Sequence, residues 1–343
     1  MKTDRHLIFG TGLIGSYLAA CFTQSGLDIQ LIGRDSSRRA FEHGFQISDY
    51  LGNHFKSPKS PRFTNSNAEA FDVVWLTVKC TSISGICNEL REFIHPDTTI
   101  ICCQNGFGSD EIIKQAFPDN PVLCCVIGFN VVTLNQHHWH RSTDGSLVIE
   151  QHAKSNLFTS LHSRLLPLRL SENMHEERWA KLQLNLANSI NAIADIPIKQ
   201  MLKDRGYRQV IAAMMDELLL VTNALGLQLP KVSAVNGATI PKVLRLPNFA
   251  FKLIAQRMLA VAPDARTSMW HDINNQRQTE IDFINGAITS RAKQLNINTP
   301  VNDIVIDLVK SIERGETESG ITSQQLKRKL SLWLTLKQTN KQR

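Results

Sequence analysis

Short apolar runs alternate with helical segments from His6 to about Gly128. The apolar runs are His6–Phe9, Ile29–Ile32, Phe71–Val78, Thr98–Cys103 and Val122–Ile127. The helical segments are Leu13–Ser25, Ser82–Phe93 and Ser109–Phe117. Uninterrupted apolar strands that alternate with helices are typical of a parallel sheet covered on both faces. The pattern therefore predicts an α/β domain built on a parallel sheet.

Two stretches have the pattern of hairpins instead. Phe45–Phe55 contains the pair Gly52-Asn53, and Val131–Glu150 contains Asp144-Gly145. Such pairs supply the backbone conformations that tight hairpin turns need. We therefore predict one hairpin in each stretch.

After about Leu170 the pattern changes to long helical periodicity with few strand signals. A chain of 343 residues is long enough for two domains with sizeable cores. We predict a first domain over residues 1–170, an all-helical second domain over 171–320, and a basic C-terminal helix and tail over 321–343.

The net charge of +7 is concentrated at the C-terminal end. From Ser319 onward there is no Asp or Glu, and six basic residues leave a net charge of about +1 for the rest of the chain. These residues are Lys327, Arg328, Lys329, Lys337, Lys341 and Arg343. Leu326, Leu330 and Trp333 lie at helical spacing, which favours a terminal helix docked on its own protein over a segment that binds nucleic acid or an anionic membrane. We predict neither a nucleic-acid nor a membrane partner.

The location of the protein is predicted from its apolar runs and its cysteines. No run approaches the roughly 18 apolar residues of a membrane helix, and Met1–Arg5 has no signal-peptide organisation. The seven cysteines include Cys102-Cys103 and Cys124-Cys125 inside strand-like runs. Adjacent strand residues point to opposite faces, so these pairs fit reduced thiols better than disulfides or metal ligands. We expect a cytoplasmic protein.

A glycine-rich loop follows the first apolar run and opens the first helix. Its residues are Gly10, Thr11, Gly12, Leu13, Ile14 and Gly15. Glycines at these three positions allow a tight turn, close approach of the backbone to a pyrophosphate, and close packing of helix on strand. The helix N-terminus adds unpaired N–H groups and a positive dipole end. We therefore predict that these six residues bind a dinucleotide.

The end of the second strand indicates which dinucleotide is bound. NAD sites usually place an acidic residue there for the ribose 2′-hydroxyl, whereas NADP sites use an arginine for the 2′-phosphate. Here the strand ends in Gly33-Arg34, with Arg38 and Arg39 close behind. Asp35 leaves NAD open, and a solvated side chain is the alternative role for Arg34. We predict that Arg34 binds the 2′-phosphate of NADP.

Three further groups of residues make the pattern specific. The first consists of the strand ends Val78-Lys79 and Gln104-Asn105-Gly106, and the second is the run Arg178–Asn185 (RWAKLQLN). The third consists of Ser268–Asp272 (SMWHD) and Arg277–Gly286 (RQTEIDFING). Together with the glycine loop, they resemble the signature segments of the ketopantoate reductase family. The resemblance extends over about His6–Val309.

The resemblance implies hydride transfer from NADPH to the C2 ketone of a branched 2-oxo acid. It also implies a Rossmann-type domain followed by an all-helical domain, with the active site in the cleft between them. The residues implied in cofactor binding are Gly10, Gly12, Gly15, Arg34, Lys79, Asn105 and Glu280. Lys181 would protonate the new alkoxide, and Glu280 would complete the catalytic set by contacting the substrate or by setting the protonation state of Lys181. The residues implied in substrate binding are Asn105, Asn185 and Ser268, to which helical spacing adds Asn188.

Three departures from the family pattern bear on the substrate. Ser82 stands where the family often has Gln. The helix after Asn185 lacks the Asn-Pro pair that is often found there, and Ala265-Arg266-Thr267 lacks an asparagine common in members that make pantoate. The reaction class is unaffected, but the identity of the 2-oxo acid stays open.

The residues also support this site without the family. Lys181, Asn185 and Asn188 fall on one stripe of a helix. Lys181 is the only charge from residue 181 to 194, so we predict a largely buried helix whose polar stripe faces a cleft. Partial burial would lower the lysine pKa toward the operating pH, as a proton donor requires. The alternative is a structural lysine paired with Glu176 or Glu177.

A second predicted helix carries a carboxylate on its apolar face. Glu280 shares that face with Ile273 and Ile281, which is costly unless the carboxylate is paired or lines a site. The alternative for Glu280 is a structural pair with Arg277. The alternative for Ser268 is a helix N-cap, which is compatible with substrate binding.

One histidine cluster has the composition of a metal site. His137, His138 and His140 lie beside a predicted hairpin and lack a convincing fourth ligand. The reaction needs no metal, because nicotinamide supplies the hydride and a lysine the proton. We predict no metal.

The sequence thus predicts an NADP-dependent oxidoreductase, with reduction of 2-dehydropantoate to pantoate as the leading reaction. A different 2-oxo acid or an amino-acid-derived imine is the first alternative substrate. A non-catalytic NADP-binding regulator is the second alternative, although a regulator need not retain Lys181, Asn185, Ser268 and Glu280 together. The expected partner is a small-molecule 2-oxo acid, and a homodimer is left open.

Overall fold

The computed structural model describes residues 4–64, 71–230, 236–256 and 262–341. The chain separates into two compact units, Met1–His175 and Glu176–Arg343. The sequence pattern placed the boundary near Leu170, which lies inside a strand of the first unit's main sheet.

Twelve strands and four helices, with short 3-10 turns between them, form the described part of the first unit. The strands are β1 (Arg5–Phe9), β2 (Asp28–Ile32), β3 (Phe45–Asp49), β4 (His54–Ser57), β5 (Arg62–Phe63), β6 (Val73–Leu76), β7 (Thr99–Cys102), β8 (Val122–Ile127), β9 (Val131–Asn135), β10 (His138–Arg141), β11 (Leu147–Glu150) and β12 (Leu168–Ser171). The helices are α1 (Leu13–Gln24), α2 (Asp35–Phe41), α3 (Ile83–Leu90) and α4 (Ser109–Ala116). All the predicted apolar runs form strands, whereas α2 and β5 were not predicted.

The main sheet has eight strands in the order β12-β11-β8-β7-β6-β1-β2-β5. The neighbours from β8 to β5 are parallel. β11 pairs antiparallel with β8, and β12 is parallel to β11. The mostly parallel sheet confirms the predicted α/β fold class.

Both faces of this sheet are covered. Leu7 of β1 and Val74 of β6 lie in one buried apolar cluster, which also contains residues of α3 and α4. Their neighbours Ile8 and Trp75 lie in a second cluster, with residues of α1. Burial on both faces explains why these strands are apolar without alternation.

A smaller sheet has the strand order β4-β3-β10-β9. β3 and β4 form the predicted hairpin, with Gly52 at a φ of 86° in its turn. β9 and β10 form a second hairpin, but the turn lies between Asn135 and His138. The prediction of a turn at Asp144-Gly145 is therefore wrong, because the chain passes there from the small sheet to β11 of the main sheet.

The described part of the second unit is helical, as predicted. Its helices are α5 (Met174–Asn185), which begins at the end of the first unit, α6 (Ala187–Ala194), α7 (Ile198–Lys203), α8 (Arg205–Ala224), α9 (Ile240–Leu244), α10 (Asn248–Ile254), α11 (Ser268–Asn274), α12 (Ile281–Gln294), α13 (Pro300–Glu313) and α14 (Ser323–Lys341). Among these helices, none combines the length and the apolar character that crossing a bilayer requires.

The start of α14 packs on its own unit. Leu326 and Leu330 are buried, and the Ser323 hydroxyl donates to Asp204 Oδ2 at 2.8 Å. The Tyr207 hydroxyl donates to the carbonyl oxygen of Ile321 at 2.8 Å. The side chains of Trp333, Lys337 and Lys341, and the whole of Arg343, lie outside the described part of the chain.

An ion pair lies buried at the small sheet. Arg141 Nη2 lies 2.8 Å from Asp49 Oδ2, and the two side chains are 1% and 0% exposed. Asp49 also accepts hydrogen bonds from the N–H groups of Leu51 and Asn53, and Arg141 donates to the carbonyl oxygen of Arg164. A buried pair held by further hydrogen bonds is strongly destabilised when one partner is removed.

We expect Arg141→Leu to lower the free energy of unfolding by about 3–5 kcal/mol, because the Asp49 carboxylate would stay buried without its cation. Urea denaturation followed by circular dichroism measures the change. Arg314→Leu, which removes an exposed pair with Glu316, is the matched control and should leave stability nearly unchanged. Equal losses in the two variants would contradict the role given to Arg141.

Candidate functional site

The glycine loop brings three backbone segments into direct contact. Gly10 has a φ of 108°, and a Cβ there would lie 2.8 Å from the backbone nitrogen of Val78. A Cβ on Gly15 would overlap the carbonyl oxygen of Gly10 and lie 2.5 Å from Thr77 Oγ1. The end of β1, the start of α1 and the end of β6 therefore meet so closely that neither glycine has room for a Cβ.

Gly12 differs from these two glycines because it has open space where a Cβ would be. It is the N-cap of α1, and no side chain caps the helix. The N–H groups of the first turn, which includes Leu13 and Ile14, therefore face an open position. The Thr11 hydroxyl is buried with no hydrogen-bond partner in the described structure and occupies the space beside Gly33. This cradle fits a phosphate-bearing group.

Arg34 lies exposed beside the loop as the N-cap residue of α2. The Ser37 hydroxyl donates to the carbonyl oxygen of Thr11 at 2.9 Å, which ties α2 to the glycine loop. Arg38 lies with its guanidinium carbon 5.3 Å from the centre of the Phe63 ring. Of these two arginines, Arg34 therefore lies next to the glycine loop, whereas Arg38 packs on the Phe63 ring of β5.

Lys79 and Asn105 follow two neighbouring strands of the main sheet, β6 and β7, and both are half-buried. Gln104 Nε2 donates to the carbonyl oxygens of Leu76 at 2.8 Å and Val78 at 3.1 Å. This amide joins the two strand ends. The sequence pattern predicted no role for Gln104, since its hydrogen-bond partners are backbone atoms that only the fold brings near.

Lys181 lies on α5 and is half-buried. Burial lowers the pKa of its ammonium group. Among the described residues it has no hydrogen bond or ion pair, so the alternative of a structural pair with Glu176 or Glu177 is not observed. Its amino group is thus desolvated without a compensating carboxylate.

The polar stripe of Lys181 continues across a break between two helices. α5 ends at Asn185 and α6 begins at Ala187, but Leu186 keeps a helical backbone, with φ −59° and ψ −27°. Asn185 is buried and Asn188 half-buried. No side chain from residue 181 to 194 is exposed, which confirms the expected burial.

Ser268 is the first residue of α11, and its side chain is exposed. The N-cap is Thr267, whose hydroxyl accepts a hydrogen bond from the N–H of Trp270 at 3.3 Å. The interpretation of Ser268 as N-cap is therefore wrong. Thr267 was missed because the sequence offers two adjacent hydroxyl residues and only the backbone conformation decides which one caps.

Glu280 is buried at the N-cap position of α12. The prediction of a single helix from Ile273 onward is wrong. α11 ends at Asn274, and Gln276 interrupts the helical backbone with a φ of 53°. Glu280 therefore opens a helix instead of lying within its apolar face. In the described structure Arg277 is exposed and has no ion pair with it, so that alternative is not observed.

The three side chains of the histidine cluster lie within hydrogen-bond distance of other protein groups. Ser48 Oγ lies 2.7 Å from His138 Nε2 and 2.8 Å from His140 Nδ1. His137 Nδ1 lies 2.6 Å from the carbonyl oxygen of Ala40. These rings therefore have structural partners on β3 and in α2.

Two family models match the chain. The one described as Ketopantoate reductase PanE/ApbA matches residues 6–154, and its C-terminal counterpart matches residues 173–313. Among curated proteins, the 2-dehydropantoate 2-reductase of Archaeoglobus fulgidus is 23% identical over 324 residues, which cover 92% of this chain and 100% of that protein.

Solved structures have the same fold. D-mandelate dehydrogenase with NADH and anilino(oxo)acetate gives a TM-score of 0.72 at 22% identity, over 90% of this chain and 99% of that one. A dimeric ketopantoate reductase from Staphylococcus aureus gives a TM-score of 0.69 at 22% identity, over 91% of this chain and 100% of that one. Since the family models match most of the chain, in the order of its two units, the chain belongs to the ketopantoate reductase PanE/ApbA family and is an oxidoreductase.

Proposed function

We propose that the protein uses NADPH to reduce the C2 ketone of a branched 2-oxo acid, with 2-dehydropantoate as the first substrate to test. The observation that carries the proposal is Lys181, half-buried and without a partner in the described structure, on a stripe shared with Asn185 and Asn188. Membership of the family and the Archaeoglobus relative support the reaction class.

The first unit has the residues to hold the cofactor. The open space over Gly12 leaves room for a pyrophosphate, which the uncapped N–H groups of α1 would bind. Arg34 would bind the 2′-phosphate, and Lys79 and Asn105 would contact the nicotinamide end. When bound, NADPH supplies the hydride to C2 of the substrate.

The second unit has the residues to manage the proton. Reduction of the ketone leaves negative charge on its oxygen, and Lys181 would donate a proton to that atom. Asn185, Asn188 and Ser268, together with Asn105 of the first unit, would hold the substrate by hydrogen bonds. Glu280 would either contact the substrate or cofactor or set the protonation state of Lys181.

The relatives bear on the substrate and on the assembly. Ser82 and the segment Ala265-Arg266-Thr267 depart from the family pattern, and an enzyme named for D-mandelate has a similar fold. These observations favour a different 2-oxo acid as the second candidate substrate. The dimeric Staphylococcus aureus structure supports a homodimer for this chain.

NADPH oxidation with a panel of 2-oxo acids tests the proposal. Turnover of 2-dehydropantoate supports the first candidate, and turnover only of another acid supports the second. NADPH binding without turnover of any acid would overturn both.

Lys181→Ala should lower kcat by about 10²- to 10⁴-fold, because the alkoxide loses its proton donor, while the Kd of NADPH stays within about twofold. In the wild type, kcat should fall as rising pH deprotonates Lys181. The lowered pKa of this lysine places that fall below the usual range near 10.5. Lys203→Ala, at an exposed lysine of the same unit, is the control. Unchanged turnover in Lys181→Ala would remove it as the acid.

Arg34→Ala should raise the Kd of NADPH by about 10- to 100-fold, since charge-assisted hydrogen bonds to the 2′-phosphate are lost. The Kd of NADH, which lacks this phosphate, should change little. Fluorescence titration measures both constants, and Arg39→Ala is the matched control. A constant ratio of the two Kd values would end the 2′-phosphate assignment.

Gly12→Ala and Gly15→Ala should separate cofactor binding from folding. A methyl group at Gly12 has open space, so Tm should stay nearly unchanged while NADPH binding weakens by about tenfold or more. A methyl group at Gly15 overlaps backbone, so Tm should fall. Differential scanning fluorimetry with and without NADPH gives both readouts. Unweakened NADPH binding in Gly12→Ala would contradict a phosphate site at this loop.

A further inference from the structure

Thr267 connects the start of α11 to α6. Its N–H donates to Asn191 Oδ1 at 3.0 Å, and its hydroxyl donates to the carbonyl oxygen of Asn188 at 3.4 Å. The same hydroxyl accepts the hydrogen bond from Trp270 that caps α11. The Asn191 amide is itself held, because its Nδ2 donates to the carbonyl oxygen of Ile196 at 2.7 Å. Thr267 therefore fixes the first turn of α11 against the turn of α6 that carries Asn188.

A second connection lies about one turn further along both helices. Asp195 Oδ1 accepts a hydrogen bond from Trp270 Nε1 at 2.6 Å and lies 3.3 Å from Arg266 Nη1. The Arg266 guanidinium carbon lies 4.6 Å from the centre of the Trp270 ring. Asp195 takes a φ of 50° at the C-cap of α6, a conformation that is unfavourable for an L-residue unless its contacts select it. The carboxylate of this C-cap residue therefore joins the end of α6 to the first turn of α11.

Ser268 lies between these two connections. It follows Thr267 directly and precedes Trp270 by two residues. Its side chain is exposed, and within the part of the chain described its hydroxyl has no protein partner. The contacts of Thr267 and Trp270 therefore fix the backbone of Ser268, and with it the region that this hydroxyl can reach.

The ion pair of the second connection contributes little to the stability of the fold. The side chains of Asp195 and Arg266 are 45% and 21% exposed, and ion pairs at such surfaces stabilise weakly. The core of this region is formed instead by apolar side chains on the other face of α6, such as Ile190 and Ile193. Precise placement of α11 is then a better account of these contacts than stability.

We propose that Thr267, Trp270 and Asp195 are positioning residues that hold the Ser268 hydroxyl at a fixed separation from Asn188, so that both side chains bind the same 2-oxo acid. The inference rests on the proposed function and adds to it the residues that set the geometry of substrate binding. Each of the three acts through Ser268 and has no contact of its own with the substrate.

The test compares Thr267→Val with Thr267→Ser, because valine keeps the branched shape without the hydroxyl and serine keeps the hydroxyl. Thr267→Val should raise the KM of the 2-oxo acid by about tenfold, with kcat within about threefold and an unchanged Kd of NADPH. Thr267→Ser should restore the KM. Trp270→Phe, which keeps an aromatic ring but removes the indole N–H, should raise the KM by a smaller factor. Glu316→Gln, at an exposed ion pair, is the unaffected control.

Calorimetric binding of oxamate, an unreactive analogue of a 2-oxo acid, to the NADPH-loaded protein gives a readout that needs no turnover. The wild type should bind oxamate, and Thr267→Val and Trp270→Phe should bind it more weakly in the same order as their KM values. Wild-type affinity in both variants, or no oxamate binding by the wild type, would overturn the inference. A wild type that binds oxamate and reduces no 2-oxo acid would overturn the proposed function alone. Circular dichroism confirms folding, and Trp270→Phe decides the test if Thr267→Val does not fold.

Discussion

The first unit depends on a close approach of three backbone segments that leaves no room for a Cβ at two glycines. At Gly10 and Gly15 the end of β1, the start of α1 and the end of β6 meet, and a Cβ at either position would collide with main-chain atoms. This approach sets the position of α1 on the sheet. It brings the helix N-terminus, with its unpaired N–H groups, to the edge where parallel strands end. The rest of the candidate cofactor site is arranged around that edge.

The order of strands in the sheet turns distant parts of the sequence into neighbours. β2, β1, β6 and β7 are consecutive in the sheet. The residues that follow β2, β6 and β7 are Arg34, Lys79 and Asn105, so they share one edge although the chain separates them widely. In the second unit, the local environment of one side chain matters more than strand order. Partial burial lowers the pKa of Lys181 without the help of a charged neighbour.

The sequence predicted best what depends on apolar pattern alone. The strands β1, β6, β7 and β8 of the main sheet are buried on both faces, so each appears as an uninterrupted apolar run, and α1 and α4 follow from amphipathic spacing. α2 was missed because it is short, polar and rich in arginine. The interruption before Glu280 was missed because Ile273 and Ile281 keep a helical spacing across a turn that Gln276 makes with a left-handed backbone. Thr267 illustrates the same limit, since a cap is a property of backbone geometry.

The exposed position of Arg34 separates the proposed choice of cofactor from the stability of the fold. Gly10 and Gly15 pack closely against backbone atoms, so substitutions at these two positions disturb the fold itself. Arg34 caps α2 with its side chain in solvent, where exchanges are usually tolerated by the folded state. Under the proposed role of Arg34, cofactor preference depends on an exposed side chain that can be exchanged while Gly10 and Gly15 stay fixed.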